Sequence, residues 1–189
     1  MIRLFVAIEV PDDVRSRVDA LCMGVPGARW VAPENMHITL RFIGDVDEVV
    51  CEDVIDSLLM VRSPAFELTL ESLGTFQQGR IAHTLWIGVQ RNDALNQLQS
   101  KVERVLVAAG LEPERRRYTP HLTIARLKDA PTGRLASFIT EHEPFRLTPF
   151  VVETFSLFSS FLSKNGAQYA IEETFPLDLT FRRAMGDQG

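Results

Sequence analysis

Two four-residue stretches of the chain share one pattern: a histidine, an aliphatic residue, a threonine and a second aliphatic residue. They are His37-Ile38-Thr39-Leu40 and His121-Leu122-Thr123-Ile124. Because side chains alternate between the two faces of a β-strand, the histidine and threonine of each stretch point to one side and the aliphatic residues to the other. Each stretch is therefore predicted to be a strand that presents one imidazole and one hydroxyl to a cleft.

Two imidazoles and two hydroxyls suit the cleavage of a phosphodiester without a metal ion. Histidine titrates near neutral pH, so one imidazole can accept a proton from attacking water while the other protonates the leaving oxygen. The threonine hydroxyls can donate hydrogen bonds to the phosphoryl oxygens. A lone His-x-Thr strand is more often structural, but two copies that use two of the four histidines favour a paired site.

Length and composition limit the kinds of protein this can be. The chain has 189 residues, 46% of them hydrophobic, which predicts one domain, or one domain of two lobes, with a packed core. A net charge of −5 excludes a protein that coats long duplex nucleic acid, so any nucleic-acid binding would be local.

Cys22 and Cys51 lack metal-ligand spacing and fit a reducing cytoplasm. Met1–Val10 is interpreted as a first strand, and no apolar run is long enough for a bilayer.

The predicted elements repeat along the chain: a helix, a loop, a His-x-Thr strand and a second helix occur around His37 and again around His121. A duplicated α+β unit with pseudo-two-fold symmetry would place the two histidines across one cleft. Helices are predicted over residues 11–23, 48–61, 94–109 and 132–140. Strands are predicted over 2–9, 29–31, 36–43, 66–76, 83–89, 118–127, 145–162 and 168–176, with a turn at 163–166 and a frayed tail after Arg183.

Three segments carry a family resemblance that covers nearly the whole chain: Arg3-Leu4-Phe5-Val6-Ala7-Ile8, the run from Arg29 to Gly44, and the run from Tyr118 to Arg126. They resemble the 2H phosphoesterases, specifically the RNA 2′,3′-cyclic phosphodiesterases once called 2′-5′ RNA ligases. The resemblance implies an α+β fold in which two pseudo-symmetric lobes, with antiparallel sheets flanked by helices, form a central cleft. Residues 1–183 would form this single bilobal domain, and 184–189 a flexible tail.

The same resemblance implies a reaction and its residues. The expected activity is hydrolysis of a terminal 2′,3′-cyclic phosphate on RNA, including tRNA fragments, or on nucleotides, to a 2′-phosphomonoester. His37 would be the proton donor and His121 the proton acceptor, with Thr39 and Thr123 beside them. Family members need no metal or cofactor, and we expect a cytoplasmic monomer that does not bind membranes.

The resemblance also implies two substrate contacts, Arg126 on phosphate and Phe42 stacked on the terminal base. Each lies five residues after a motif histidine, so regular alternation would point it away from the cleft. A β-bulge would reconcile the two expectations. The alternatives are a surface salt bridge for Arg126 and core packing for Phe42.

The other basic residues and histidines are less specific. The run Arg115-Arg116-Arg117 is either a solvated loop or a binding patch for RNA phosphates, in which Arg117 is the expected substrate contact. Arg41 and Arg29 are weaker candidates for the same patch. His83 and His142 match neither motif and are interpreted as surface or structural residues.

Three other functions remain open from the sequence. The same chemistry run in reverse would join tRNA halves through a 2′-5′ bond, although water favours hydrolysis. The substrate could be a small cyclic phosphate rather than RNA. A module that binds a nucleotide or an RNA end without turnover would not need both proton carriers, and here both motifs are intact.

Overall fold

The computed structural model describes residues 1–163 and 166–179. The predicted turn at 163–166 includes two residues outside these ranges, and the predicted tail at 184–189 lies wholly outside them. The described helices are α1 (Asp12–Asp19), α2 (Glu48–Leu58), α3 (Asp93–Ala108) and α4 (Thr132–Glu141). The described strands are β1 (Ile2–Glu9), β2 (Ala28–Trp30), β3 (His37–Val46), β4 (Phe66–Leu68), β5 (Leu70–Gln78), β6 (Ile81–Val89), β7 (His121–Leu127), β8 (Phe150–Val152), β9 (Thr154–Ser163) and β10 (Gly166–Pro176).

Eight of these strands form one sheet, ordered β10-β9-β1-β3-β7-β6-β5, with β2 also paired to β7. All the pairs along it are antiparallel. The sheet consists of two halves, a first lobe of β10, β9, β1 and β3 and a second lobe of β2, β7, β6 and β5. The halves are joined where β3 meets β7, at the pair Ile38–Leu122. The α+β fold of two lobes with antiparallel sheets is thereby confirmed.

Side-chain caps and apolar stripes explain where the longer helices form. Asp47 accepts a hydrogen bond from the Val50 amide at 2.9 Å and so caps α2. Asn92 caps α3 in the same way through the Leu95 amide. The α3 helix ends before Gly110, whose φ of +96° is the left-handed conformation expected of a terminating glycine. Its buried stripe, formed by Leu95, Leu98, Val102 and Leu106, joins one core with the buried sides of the strands.

Both motif strands carry a β-bulge at the same place, three residues after the histidine. In β3 the register against β1 skips Leu40, because Thr39 pairs with Ala7 but Arg41 pairs with Val6. In β7 the register against β6 skips Ile124, because Thr123 pairs with Trp86 but Ala125 pairs with Leu85. A bulge adds one residue to one strand and so reverses the facing of everything beyond it.

Two predicted strands are each divided in the structure. The segment predicted as one strand over 66–76 breaks at Thr69, because Phe66–Leu68 pairs with β8 in a separate two-stranded sheet while β5 pairs with β6. The segment over 145–162 breaks at Glu153 for the same reason. A chain that changes sheets buries successive residues and loses the simple alternation that predicts a single strand. The α1 helix also ends earlier than predicted, at Asp19.

Candidate active site

The two motifs meet at the junction of the lobes. Ile38 and Leu122, each the residue after a motif histidine, are directly opposite and fully buried. In an antiparallel register this pairing sets His37 across from Thr123 and His121 across from Thr39. Each histidine thus lies beside the threonine of the other motif, on the face opposite the core. The pseudo-two-fold arrangement predicted from the repeat is what this geometry shows.

Main-chain carbonyls orient both imidazoles in the same way. His37 Nδ1 lies 2.7 Å from the carbonyl oxygen of Asn35, and His121 Nδ1 lies 2.7 Å from that of Thr119. Because a carbonyl can only accept, each Nδ1 carries the proton in this hydrogen bond. The neutral form of each ring therefore has a bare Nε2, which can accept a proton, and the charged form has a proton there to donate.

Aromatic rings surround His37. The ring of Phe5 lies 4.7 Å from the imidazole between centroids, and Tyr169 meets it edge-on at 5.2 Å, with Phe158 behind at 6.1 Å. Burial among these groups lowers the pKa of His37 from 6.5 to about 4, against the raising effect of the Asn35 carbonyl. The charges of His121 and Arg126 lower it further.

His121 is less enclosed. Phe76 meets its ring edge-on at 4.7 Å, and Trp86 lies at 6.3 Å. Burial lowers the pKa of His121 below 6.5, opposed by the hydrogen bond to the Thr119 carbonyl and helped by the charge of Arg126. The two histidines are alike in their hydrogen bonds but differ in how strongly their surroundings disfavour the charged form.

The two bulges return Arg126 and Phe42 to the cleft face. Arg126 pairs with Thr84 and Phe42 pairs with Phe5, both on the face that carries the histidines. The bulge that would reconcile the two expectations is present in both strands. Arg126 Nη1 donates to the hydroxyl of Thr84 at 3.0 Å. Phe42 is 43% exposed, so core packing does not account for it.

A cavity of about 600 Å³ opens from this face. Its walls come from β3, β5, β6, α3 and the loop that precedes β7. Among its lining residues are Thr39, Phe42, Phe76, His83, Arg116, Arg117, Tyr118 and His121. A cavity of this size is in the range of sites for drug-sized molecules, which nucleotides match.

The three arginines of the basic run have different surroundings. Arg116 is held by Glu114 through hydrogen bonds of 3.2 and 3.0 Å. Arg117 lines the cavity and is exposed, and it makes no hydrogen bond or ion pair with the residues that the structure describes. Arg115 is exposed and does not contribute to this cavity. Of the three, Arg117 is best placed to meet an anionic ligand.

Arg41 is placed differently from the prediction. It reaches the cavity wall, but it is only 8% exposed and lies on the core side of the β3 bulge. Its guanidinium is ion-paired with Glu103, lies 3.7 Å from Glu114 and donates to the Phe42 carbonyl at 2.7 Å. A role in an RNA-phosphate patch does not fit this arrangement, because two carboxylates already neutralise the charge. Arg29 does not line this cavity and lies directly opposite Arg126, on β2.

Several cleft residues were not identified from the sequence. Three of them, Phe5, Phe158 and Tyr169, come from strands outside the motifs. For Phe5 the sequence does carry a signal: the apolar run Leu4–Ile8 is unbroken, which indicates that both faces of β1 are covered, and all five residues are buried. His83 lines the cavity, whereas the sequence indicated a surface or structural role. His142 is structural, since its Nδ1 lies 2.7 Å from the Phe138 carbonyl on α4.

Among the residues that the structure describes, no group of three or more His, Cys, Asp or Glu side chains could hold a metal ion. None of the described helices combines the length and the apolar character that a bilayer crossing requires.

A cleft floored by two His-x-Thr strands, one from each of two antiparallel lobes, defines a 2H phosphoesterase. Comparison with known proteins agrees: residues 4–160 match the model of the 2′-5′ RNA ligase superfamily. The chain belongs to this family. It is 33% identical to the RNA 2′,3′-cyclic phosphodiesterase of Methanothermobacter thermautotrophicus, over 93% of this chain and 99% of that protein. The enzyme of the same name from Thermotoga maritima is 31% identical, over 89% and 92%.

Solved structures agree on the fold. The crystal structure of E. coli LigT complexed with 3′-AMP has a TM-score of 0.74 and 26% identity, covering 93% of this chain and 98% of that one. A crystal structure described as a phosphoesterase has a TM-score of 0.77 at 24% identity, which speaks for the fold alone.

Proposed function

We propose that this protein hydrolyses the terminal 2′,3′-cyclic phosphate of RNA to a 2′-phosphomonoester, with His37 and His121 as the two proton carriers. The observation that carries the proposal is the matched pair of imidazoles, one from each lobe, each with Nδ1 tied to a main-chain carbonyl and Nε2 left for chemistry. The relatives named as RNA 2′,3′-cyclic phosphodiesterases, similar over nearly the whole chain, support the substrate class.

The difference between the two imidazoles supports a division of roles. His121, whose pKa is lowered less, is the better base and takes a proton from water as the water oxygen attacks phosphorus. His37, whose pKa is lowered to about 4, is the stronger acid once protonated and gives its proton to the ribose 3′ oxygen as the P–O3′ bond breaks. The product then carries the phosphate on the 2′ oxygen and a free 3′ hydroxyl. An anionic phosphate in the cleft raises the pKa of both rings and so favours the protonated acid.

The negative charge that develops on the phosphoryl oxygens is stabilised by hydrogen-bond donors that do not titrate near neutral pH. Thr39 and Thr123 supply hydroxyls, each across the strand junction from the histidine of the other motif. Arg126 supplies a guanidinium, which is always charged and forms strong hydrogen bonds to phosphate oxygens. Preorganised donors of this kind stabilise the transition state without further rearrangement.

The rest of the cavity suits a nucleotide. Phe42 offers an exposed ring for stacking on the terminal base, and Arg3 lies 5.8 Å from the centre of that ring. Arg117 offers a free cation for a neighbouring phosphate. We propose that residues 1–183 act as one unit, because the site takes a histidine from each lobe. We also propose a monomer in the cytoplasm, a location in which the free thiols of Cys22 and Cys51 are stable.

Turnover of 2′,3′-cyclic nucleotides and of a short RNA with a cyclic phosphate end tests the proposal. His37→Ala and His121→Ala should each lower kcat by about 10²- to 10⁴-fold, the usual effect of one positioned acid or base. His142→Ala is the matched control, because it removes a histidine outside the cleft. Circular dichroism confirms that each variant is folded. Full activity in either motif variant would refute the assignment.

The same assay separates the alternatives. Including an RNA with a 5′-hydroxyl end shows whether a longer 2′-5′-linked product forms, which hydrolysis cannot produce. Comparing the mononucleotide with the oligonucleotide shows whether the natural substrate is small or polymeric. Binding of a 2′-phosphate product without turnover of any cyclic phosphate would identify a binding module instead.

A further inference from the structure

His83 is a third histidine of the cleft, and the proposed reaction does not use it. It lines the same cavity as Thr39, Phe42 and His121, and it is exposed there. A bulge in β6 explains its position: Thr84 pairs with Phe76 and Ala82 pairs with Gln77, so His83 is the extra residue of the strand. The two residues of such a bulge lie on nearly the same side, which keeps His83 on the cleft face together with Thr84.

The hydroxyl of Thr84 holds the His83 ring through Nδ1. Thr84 is 1% exposed, so its hydroxyl must find its partners inside the protein. Its oxygen accepts from Arg126 Nη1 at 3.0 Å, because a guanidinium can only donate. The hydroxyl proton then has His83 Nδ1 as its acceptor, also at 3.0 Å. With Nδ1 accepting this bond, the N–H of the ring lies at Nε2, which has no partner among the described residues.

The surroundings of His83 indicate what this donor would meet. The phosphate-binding groups are two guanidinium groups: Arg126, which shares the Thr84 hydroxyl with His83, and Arg117 on the loop before β7. The cavity that His83 shares also exposes two aromatic side chains, Phe42 and Phe76. Flat aromatic surfaces accept any base by stacking, and a single neutral donor at their edge can distinguish bases by the acceptors they present.

We propose that His83 reads the base of the terminal nucleotide, donating a hydrogen bond from Nε2 to an acceptor on the edge of the base. This inference rests on the proposed function, since it presupposes that a nucleotide occupies the cavity. It makes His83 a specificity-determining residue that acts on the choice of substrate and does not transfer a proton in the reaction. The bond from Thr84 couples this contact to the position of Arg126.

The experiment measures kcat/KM for the 2′,3′-cyclic phosphates of adenosine, guanosine, cytidine and uridine with the wild-type protein and two variants. We expect the wild type to prefer one or two of the four bases. His83→Ala should lower kcat/KM for the preferred base by about five-fold, the effect of one neutral hydrogen bond, and bring the four values together. His83→Gln keeps an N–H donor near the position of Nε2 and should retain most of the preference.

A second readout does not depend on turnover. The dissociation constants of the four nucleoside 2′-monophosphates should show the same preference in the wild type and lose it in His83→Ala. A wild type without base preference, or a preference unchanged in His83→Ala, overturns the role of His83 while leaving the proposed function intact. If no cyclic phosphate is hydrolysed, the proposed function fails. The dissociation constants of the four nucleoside 2′-monophosphates then show whether His83 sets the base preference. Thermal melting of the variants confirms that they are folded.

Discussion

Thr84 and Arg126 face each other across the β6–β7 ladder, and the hydroxyl of one holds the guanidinium of the other at 3.0 Å. The bulge at Ile124 turns Arg126 toward the cleft, and Thr84 then limits where its side chain can lie. A flexible arginine that is held in place before substrate arrives loses less conformational freedom when it binds phosphate.

Removing this one hydroxyl should therefore weaken catalysis. Thr84→Val keeps the shape of the side chain and deletes the acceptor, so we expect kcat/KM to fall by about ten-fold, consistent with the loss of one hydrogen bond to a charged group. Thr84→Ser keeps the hydroxyl and should stay within about two-fold of the wild type. Because the same hydroxyl also holds the His83 ring, the loss should be greatest for the preferred base. Equal activities of Thr84→Val and Thr84→Ser would show that the bond is not important.

The pH dependence of kcat/KM should reflect the lowered pKa values of the histidine pair. Activity needs one imidazole protonated and the other neutral, so kcat/KM of the free protein should be bell-shaped. Both pKa values lie below 6.5, that of His37 at about 4, so the optimum should fall between about pH 4 and 6.5. The kcat profile should lie at higher pH, because bound phosphate raises both values. Glu9, Arg126 and the histidines themselves are the charged groups nearby.

Histidine ring NMR provides the direct check on this expectation. The His37 signal should titrate near pH 4 in the free protein, and Tyr169→Ser, which opens the aromatic wall to water, should move it toward 6.5. A midpoint for His37 at 6.5 or above in the wild type would contradict the explanation by burial.

The partly buried ion pair of Arg41 and Glu103 should be needed for stability rather than for contact with phosphate. Arg41→Met leaves the Glu103 carboxylate, which is 22% exposed, with the Glu114 amide as its remaining partner, and loss of the guanidinium should cost about 1–3 kcal/mol. The double variant Arg41→Met with Glu103→Leu should recover much of that loss. Urea unfolding of the two single variants and the double variant measures the coupling. Additive losses would show that the two side chains do not interact.

Gly74 should tolerate no larger residue. A Cβ at this position would collide with the indole ring of Trp86, which lies 6.3 Å from the His121 ring. Gly74→Ala should therefore displace Trp86, shift the pKa of His121 and lower kcat. Gly133→Ala is the matched control, because a Cβ there meets nothing within 4 Å and alanine suits a helix. Wild-type kinetics and an unchanged His121 titration in Gly74→Ala would show that the ring has room to move.

The parts of the site that the sequence predicts are those that depend on a single strand. Spacing of two residues places His37 with Thr39 and His121 with Thr123 on one face, so the centre of the site was predictable from alternation within single strands. Arg41 and Arg126 lie four and five residues after their histidines, and alternation alone assigns their faces the wrong way round. Their true facings depend on bulges at Leu40 and Ile124, which belong to the pairing with neighbouring strands and are not visible in either segment.

The aromatic wall around His37 was beyond prediction for a related reason. Phe158 and Tyr169 come from the far end of the chain and reach the first motif because β9 and β10 extend the sheet beyond β1. The same holds for His83, whose facing is set by a bulge against β5. For segments that change sheets, such as 66–78, the prediction of strand was right but the bounds of the strands were wrong.

The joining of both lobes through the Ile38–Leu122 pair has a mechanical consequence. The two imidazoles flank the pair at which β3 meets β7, so their spacing depends on main-chain pairing at that point of the sheet. An RNA end that enters the cavity meets the side chains at its mouth and the loop before β7. Lengthening or shortening the connections between the halves should leave the reacting centre undisturbed.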